Sequence, residues 1–268
     1  GLNLRKLGNP VAFVRNGSVE LFVVGVSMGG WSGSAIYHLL SDDGGRSFHS
    51  PRRLTVSPFL NVSTLVRYGA HPAADGTGVI LPAYHEFVVK YPCRIRIDDD
   101  RKVSLVSSAQ QAKAFLQPSQ IHVEGKPLLF LRDTHEPGFV HLLRGDAPGS
   151  AHLSLEKLPV PNPNSAVAAL ALEKGVLIAC NNSPEERDRL SLLFREHGSL
   201  DQPWRIIREV ETPERAPDEL DVEEPRYSYP WLMQGSDGTL HLFYTWNRHQ
   251  IRHLRFDARD WPNPDETP

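Results

Sequence analysis

Cysteine and methionine are scarce in this sequence, at two residues each. Cys93 and Cys180 lie far apart, each inside an apolar run, which predicts two buried thiols and excludes a disulfide-built scaffold. A single bridge between them is the alternative, and it leaves the redox compartment open. No apolar run approaches the roughly 20 residues that a bilayer crossing needs. The first residues lack the apolar core of a signal peptide, and an apolar strand starts almost at once at Val11. That abruptness predicts a boundary with sequence upstream of it, and a mature secreted or periplasmic form is slightly favoured over a cytoplasmic one. Charge of one sign is not blocked: Lys and Arg number 29 against 32 for Asp and Glu, a net of -3, which excludes a non-specific nucleic-acid partner. No HExxH motif or clustered Cys/His spacing is present, so neither a metal nor another cofactor is expected. Long helical periods are missing too, and Ser108 to Phe115 is the one helix-like stretch.

What is present is enough to bury a core. The 268 residues are 40% hydrophobic and 23% charged, which fits one large or two small globular domains. The most informative segment is Ser41-Asp42-Asp43-Gly44-Gly45-Arg46-Ser47-Phe48. Asp43 is suited to accept backbone N–H bonds across a tight turn, Gly44 or Gly45 to take positive φ, and Phe48 to start a strand and cover the loop. The segment joins the apolar runs Val19 to Val26 and Ala35 to Leu40 to a further run, Arg52 to Val56. Strand, strand, stapled turn and strand make one antiparallel unit.

Five times a polar residue followed by proline stands at the start of an apolar stretch: Asn9-Pro10, His71-Pro72, Gln117-Pro118, Asn162-Pro163 and Tyr229-Pro230. Each is read as the mouth of a strand, where proline is tolerated. X-Gly turns follow, at Asn16-Gly17, Asp75-Gly76, Glu124-Gly125, Lys174-Gly175 and Asp237-Gly238. The pattern returns at intervals of about 45 to 65 residues, close to a four-stranded propeller blade. The expected fold is therefore all-β, one β-propeller domain over 1–268, with blades near 9–58, 64–107, 117–158, 162–208 and 226–257. The acidic segment from Glu209 to Glu224 reads as a solvated loop, and the Pro-rich tail gives no further blade.

In a propeller the ends of the inner strands bring distant residues to one polar face. His71, His85-Glu86, Arg132-Asp133, Asn162 to Ser165, Asn181-Asn182, Arg226 to Tyr229 and Trp246 to Arg248 fall at such ends. His85 beside Glu86 suits proton transfer or the holding of a sugar hydroxyl; a satisfied loop histidine and a surface glutamate are the plain alternative. Arg132, Arg226 and Arg248 suit a carboxylate, and Asp133 is either the partner of Arg132 or an acid. Tyr229, two residues from Tyr227, would share a face with it in extended backbone, and with a carboxylate such as Glu223 or Glu224 it suits nucleophilic attack on an oxocarbenium-like centre. Aromatic packing is the competing role for both tyrosines. Trp246 suits stacking on a sugar ring or filling a blade interface. Asn162 and Asn164, with Ser165, and Asn181 and Asn182 supply amides that specify hydroxyls without charge, unless they only form turns, as Asn162 and Asn164 beside Pro163 most readily would.

Ser41-x-Asp43-x-Gly45-x-Ser47-Phe48 resembles the Asp-box pattern, Ser/Thr-x-Asp-x-Gly-x-Thr-Trp. With Pro82 to Glu86, Asn162 to Ser165, Tyr227 to Pro230 and Tyr244 to Arg248, the chain resembles the bacterial sialidase-like proteins, or predicted neuraminidases, that carry BNR repeats. The resemblance implies a six-bladed propeller that hydrolyses terminal sialic acids, using three arginines on the substrate carboxylate, a Tyr–Glu nucleophile and an acid/base aspartate. Of these roles Tyr229 has a match, with Arg226 or Arg248 as a member of the arginine set. Five units are counted against six, so by the resemblance either the blade with the first arginine and the aspartate lies before Gly1 or this is a five-unit protein. The function expected is a glycoside hydrolase on a terminal anionic sugar of a glycan, with Tyr229 as nucleophile, Glu86 or a nearby acid as its partner, Asp133 as proton donor and Arg132, Arg226 and Arg248 as the carboxylate clamp. A non-catalytic carbohydrate-binding propeller and a polysaccharide lyase, with His85 and Tyr229 as base and acid, are the alternatives. A glycan is the expected partner, with no nucleic acid and no membrane insertion.

Overall fold

A computed structural model describes residues 4–27, 30–56, 63–109, 112–147, 149–213 and 225–257. Those residues form five antiparallel sheets. The first runs in order through β1 (Lys6–Arg15), β2 (Ser18–Val26), β3 (Ser34–Ser41) and β4 (His49–Arg53). The second is built from β5 (Thr64–Val66), β6 (His71–Pro72), β7 (Val79–Glu86), β8 (Lys90–Ile97) and β9 (Val103–Ser108), with β5 and β6 both pairing with β7. The third contains β10 (Phe115–Val123), β11 (Lys126–Asp133), β12 (Phe139–Gly145) and β13 (Leu153–Pro161). The fourth contains β14 (Ala168–Ala171), β15 (Gly175–Cys180), β16 (Leu190–Glu196) and β17 (Arg205–Glu211), and the fifth β18 (Tyr227–Gln234), β19 (Leu240–Trp246) and β20 (Gln250–Phe256).

The chain divides into two compact units. One comprises Gly1–Gln120, Glu124–Pro127 and Arg144–Ser154; the other comprises Ile121–Val123, Leu128–Leu143 and Leu155–Pro268. Each has its own core. In the first unit Val11, Phe22, Val24, Ile36, Leu81 and Ile95 are sealed from solvent. In the second, Phe130, Val140, Leu142, Val176 and Ile178 are, and Phe130 meets Trp204 edge-on at 6.1 Å. The alternating apolar residues that marked the strands are the ones that fill these cores.

The turn at residues 41–48 is the staple its residues suggested. Asp43 Oδ1 accepts from the Ser41 hydroxyl at 2.7 Å, from Ser47 N at 2.9 Å and from Arg46 N at 3.0 Å, while Oδ2 accepts from the Ser47 hydroxyl at 2.6 Å. The Ser47 bonds above all hold this carboxyl well below its ordinary pKa. The strand itself begins at His49, one residue after Phe48.

Three of the proline signals mean something other than a strand mouth. Asn9, Gln117 and Tyr229, each directly before a proline, have φ of 48°, 54° and 57°. They lie inside β1, β10 and β18, and the ladders of β1 and β18 shift register across Gly8/Val11 and Ser228/Trp231. In β1 and β18 proline fits because a bulge needs no N–H from it. His71-Pro72 forms β6, whereas Asn162-Pro163 lies in the link between β13 and β14. The helix-like stretch Ser108 to Phe115 forms no helix among its described residues: both ends are in strands, and Ala114, with φ 70°, cannot continue a right-handed helix. Glu209 to Glu211 close β17, so the acidic segment is not all loop; its residues 214–224 and the tail from 258 onward lie outside the described residues. Both cysteines are buried and unbridged, and burial pushes each thiol up to about 12.

Candidate functional site: an arginine rim

The site in the second unit starts from a pair of asparagines that do opposite jobs. Asn164, with φ 48°, accepts Arg132 Nε on its Oδ1 at 2.7 Å, and its backbone oxygen accepts from Arg187 Nη2. It therefore positions two guanidinium groups from different sheets. Asn181 is fully buried and works on the backbone. Its amide donates to Arg189 O at 2.7 Å, Tyr227 O at 3.0 Å and Arg187 O at 3.3 Å, while its Oδ1 accepts the Ser165 hydroxyl. Tyr227 N adds a bond to Arg187 O at 2.8 Å. The loop that carries Arg187 is thus fastened to the strand that carries Tyr229.

Arg226 is fixed from the next hairpin. Its N–H donates to Asn247 Oδ1 at 2.6 Å, and its carbonyl accepts from Asn247 N at 2.8 Å. Arg248 follows Asn247 and is exposed. These groups act on one another. Burial first, then the positive charges of Arg132, Arg226 and Arg248, lower the Arg187 guanidinium to about 10, while the phenol of Tyr229 works in the opposite direction. Four arginines and one tyrosine therefore share one electrostatic neighbourhood, at the end of the sheets where first strands begin and second strands finish. Arg187 has no counterpart in the expected site residues. It sits just beyond a second strand, as Arg248 does.

The two tyrosines part company. Tyr227 is buried and meets Tyr244 edge-on at 6.5 Å, and burial, followed by Glu211, pushes its phenol up to about 12. Tyr229 is 43% exposed. The bulge between Ser228 and Trp231 breaks the two-residue alternation that would have put both rings in one environment. Behind Tyr227, Glu211 accepts the Tyr244 hydroxyl and a 2.8 Å bond from Arg252 Nη1.

Asp133 points away from its neighbour Arg132, as successive residues of a strand do. It is buried, and its Oδ1 accepts from His135 Nδ1 at 2.7 Å and His135 N at 2.9 Å, with His141 Nδ1 3.5 Å from Oδ2. His135 itself is exposed, so this pair presents an imidazole anchored on a carboxylate. Gly138 lets the same loop close on Asn162: a Cβ at Gly138 would lie 2.3 Å from the Asn162 carbonyl. Asn182 is half-buried beside Asn181. Trp246 is 2% exposed with the Arg252 guanidinium 4.0 Å from its ring centroid, so that face of the ring already has a protein partner. Glu223 and Glu224 lie outside the described residues.

The remaining expected residues belong to the first unit. His85 pairs with Thr64 and stacks on Tyr91 at 5.1 Å, and burial pushes its imidazole below the ordinary value. Glu86 lies opposite Lys90 and donates its N–H to Ser63 O at 3.0 Å; His71 lies opposite Ile80. Among the described residues no group of three or more His, Cys, Asp or Glu could hold a metal, and no helix is long and apolar enough to cross a membrane.

The sequence model of the BNR repeat-like domain matches residues 2–242. The chain belongs to the BNR repeat-like family. Solved structures agree on the fold of this BNR protein. A sialidase of Trypanosoma rangeli, solved with sialic acid, superposes with a TM-score of 0.64 at 12% identity, covering 93% of this chain and 44% of its own. The NanB sialidase of Streptococcus pneumoniae superposes at 0.63 with 13% identity, covering 85% and 36%. A protein of unknown function from Dyadobacter fermentans gives 0.64 at 14% identity, covering 90% and 72%. The fold is a β-propeller of sialidase type, with five blades among the described residues. The chain spans less than half the length of the Trypanosoma enzyme it resembles. No curated protein matches it in sequence.

Proposed function

We propose that this BNR protein is a sialidase-like glycoside hydrolase acting on a terminal anionic sugar. The observation that carries the reading is the gathering of Arg132, Arg226, Arg248 and Tyr229 about Arg187, which shares Asn164 with Arg132. Guanidinium groups fork onto a carboxylate through paired N–H bonds and fix its plane. Tyr229 is the nucleophile: its phenolic oxygen bonds to the anomeric carbon as the bond to the leaving oxygen breaks, its proton passing to a carboxylate base and returning when the sugar is released. Asp133 is the source of proton control, acting through the His135 imidazole it anchors. His135 gives a proton to the leaving oxygen, then takes one from the water that releases the sugar from Tyr229.

Release of sialic acid from a fluorogenic sialoside tests the reading. Turnover is expected, and Tyr229→Phe is expected to abolish it while retaining affinity for sialic acid. Affinity without turnover on sialosides and other acidic glycosides would reject the hydrolase and favour a carbohydrate-binding propeller. An unsaturated, ultraviolet-absorbing product from a uronate polymer would instead favour a lyase.

A further inference from the structure

The turn that presents Arg248 is built against backbone preference. β19 and β20 are joined by Asn247, Arg248 and His249; the φ angles of Asn247 and Arg248 are 47° and 60°, and His249 N closes the turn on Trp246 O at 3.0 Å. Positive φ at both central residues is the geometry of a type I′ turn, whose second seat ordinarily belongs to glycine. This chain follows that habit elsewhere: Asn16-Gly17, at 51° and 80°, joins β1 to β2, and Glu124-Gly125, at 51° and 75°, joins β10 to β11. At Arg248 a long cationic side chain occupies the glycine seat. Strain of this kind in a non-glycine residue gathers at binding sites, where the side chain is needed in that place.

The number of cations points the same way. A carboxylate has two oxygens and about four lone-pair sites, which two forked guanidinium groups fill and three fully surround. Arg132 and Arg187 are tied together through Asn164, and Arg226 is fixed by its backbone pairing with Asn247. Those three suffice for one carboxylate. A fourth positive charge that acts on Arg187 adds repulsion unless a second anion lies beside it.

We infer that Arg248 receives a second anionic group, so that the site takes a sugar ligand bearing two: a carboxylate within Arg132, Arg187 and Arg226, and a further carboxylate or a sulfate ester at Arg248. This rests on the anionic-sugar reading above and narrows its substrate class.

Calorimetric titration at fixed ionic strength with D-glucuronate, N-acetylneuraminate, digalacturonate and D-glucuronate 2-sulfate tests it. At least one of the two dianions is expected to bind about tenfold or more tightly than the monoanions. Which of them does so separates a carboxylate from a sulfate as the second group. Arg248→Gly is expected to bring the dianion-to-monoanion ratio near one and, by relieving the turn, to raise the melting temperature; Arg248→Gln should lose the ratio without that gain. A ratio near one in the parent protein, or one that survives both substitutions, overturns the inference and leaves a single-carboxylate site standing. No binding of any of the four sugars overturns both.

Discussion

Asn181→Ala is the most searching perturbation of the site's framework. The side chain is fully buried and makes short bonds to Arg189 O at 2.7 Å, to Tyr227 O at 3.0 Å and from the Ser165 hydroxyl. Each intramolecular bond contributes about 1 kcal/mol net, and a buried group left without a partner costs about 1–3 kcal/mol. Three such losses in a site too polar to collapse sum to about 4 kcal/mol. For a protein of this size that is a fall of about 8–16 °C in melting temperature. Asn181→Asp should be worse at neutral pH, because it removes the amide donors and sets a carboxylate against carbonyl oxygens. Urea unfolding followed by tryptophan fluorescence gives the free energy, and sialic acid titration gives the functional consequence. The loop of Arg187 and the start of β18 are then joined by the Tyr227 N–H bond to Arg187 O without the Asn181 amide beside it, so affinity should fall with stability. A loss below about 0.5 kcal/mol, the range of an ordinary surface change, would refute the reasoning that Asn181 holds the rim together.

Two other measurements follow from buried and exposed groups. The Arg96 side chain above all, then Thr77 N, lowers the Asp75 carboxyl to about 2, so its contribution to stability is full above its unfolded value near 4 and fades as pH falls toward 2. The melting temperature of Asp75→Asn should therefore lie below the parent's at pH 7, and the two should converge near pH 2; a constant gap would contradict the assignment. Cys93 and Cys180 should both resist a thiol reagent in the folded protein and both react in denaturant, and two reactive thiols under native conditions would be the contrary result.

The fold was legible because its signals are local. Every bond that Asp43 makes in the residue 41–48 staple is local, reaching no further than Ser41 and Ser47, and the hairpin glycines at Gly17, Gly125 and Gly238 mark turns that the chain itself closes. The site was legible only in part. Arg132, Arg226 and Arg248 could be found because each adjoins a strand signal. Arg187 stands in a polar loop with no pattern of its own, and only a comparison of the same loop in successive sheets, where His135 and Arg248 also fall, would have singled it out. The different fates of Tyr227 and Tyr229 depend on a bulge, and the sequence showed its proline but not the register shift. Asn181 reads as a sugar-facing amide until the carbonyls it serves, as far away as Tyr227, are known.

The claim on which the account turns is that these arginines receive an anionic sugar together. The Nε–H resonances of Arg132, Arg187, Arg226 and Arg248, followed by nitrogen-edited NMR during a titration with N-acetylneuraminate, measure this most directly. The account predicts that signals from this group move along one saturable curve, while the Arg195 Nε–H, bonded to Ser199 at 2.9 Å, stays in place. Four unmoved signals at saturating sugar, or shifts no larger than that of Arg195, would contradict it.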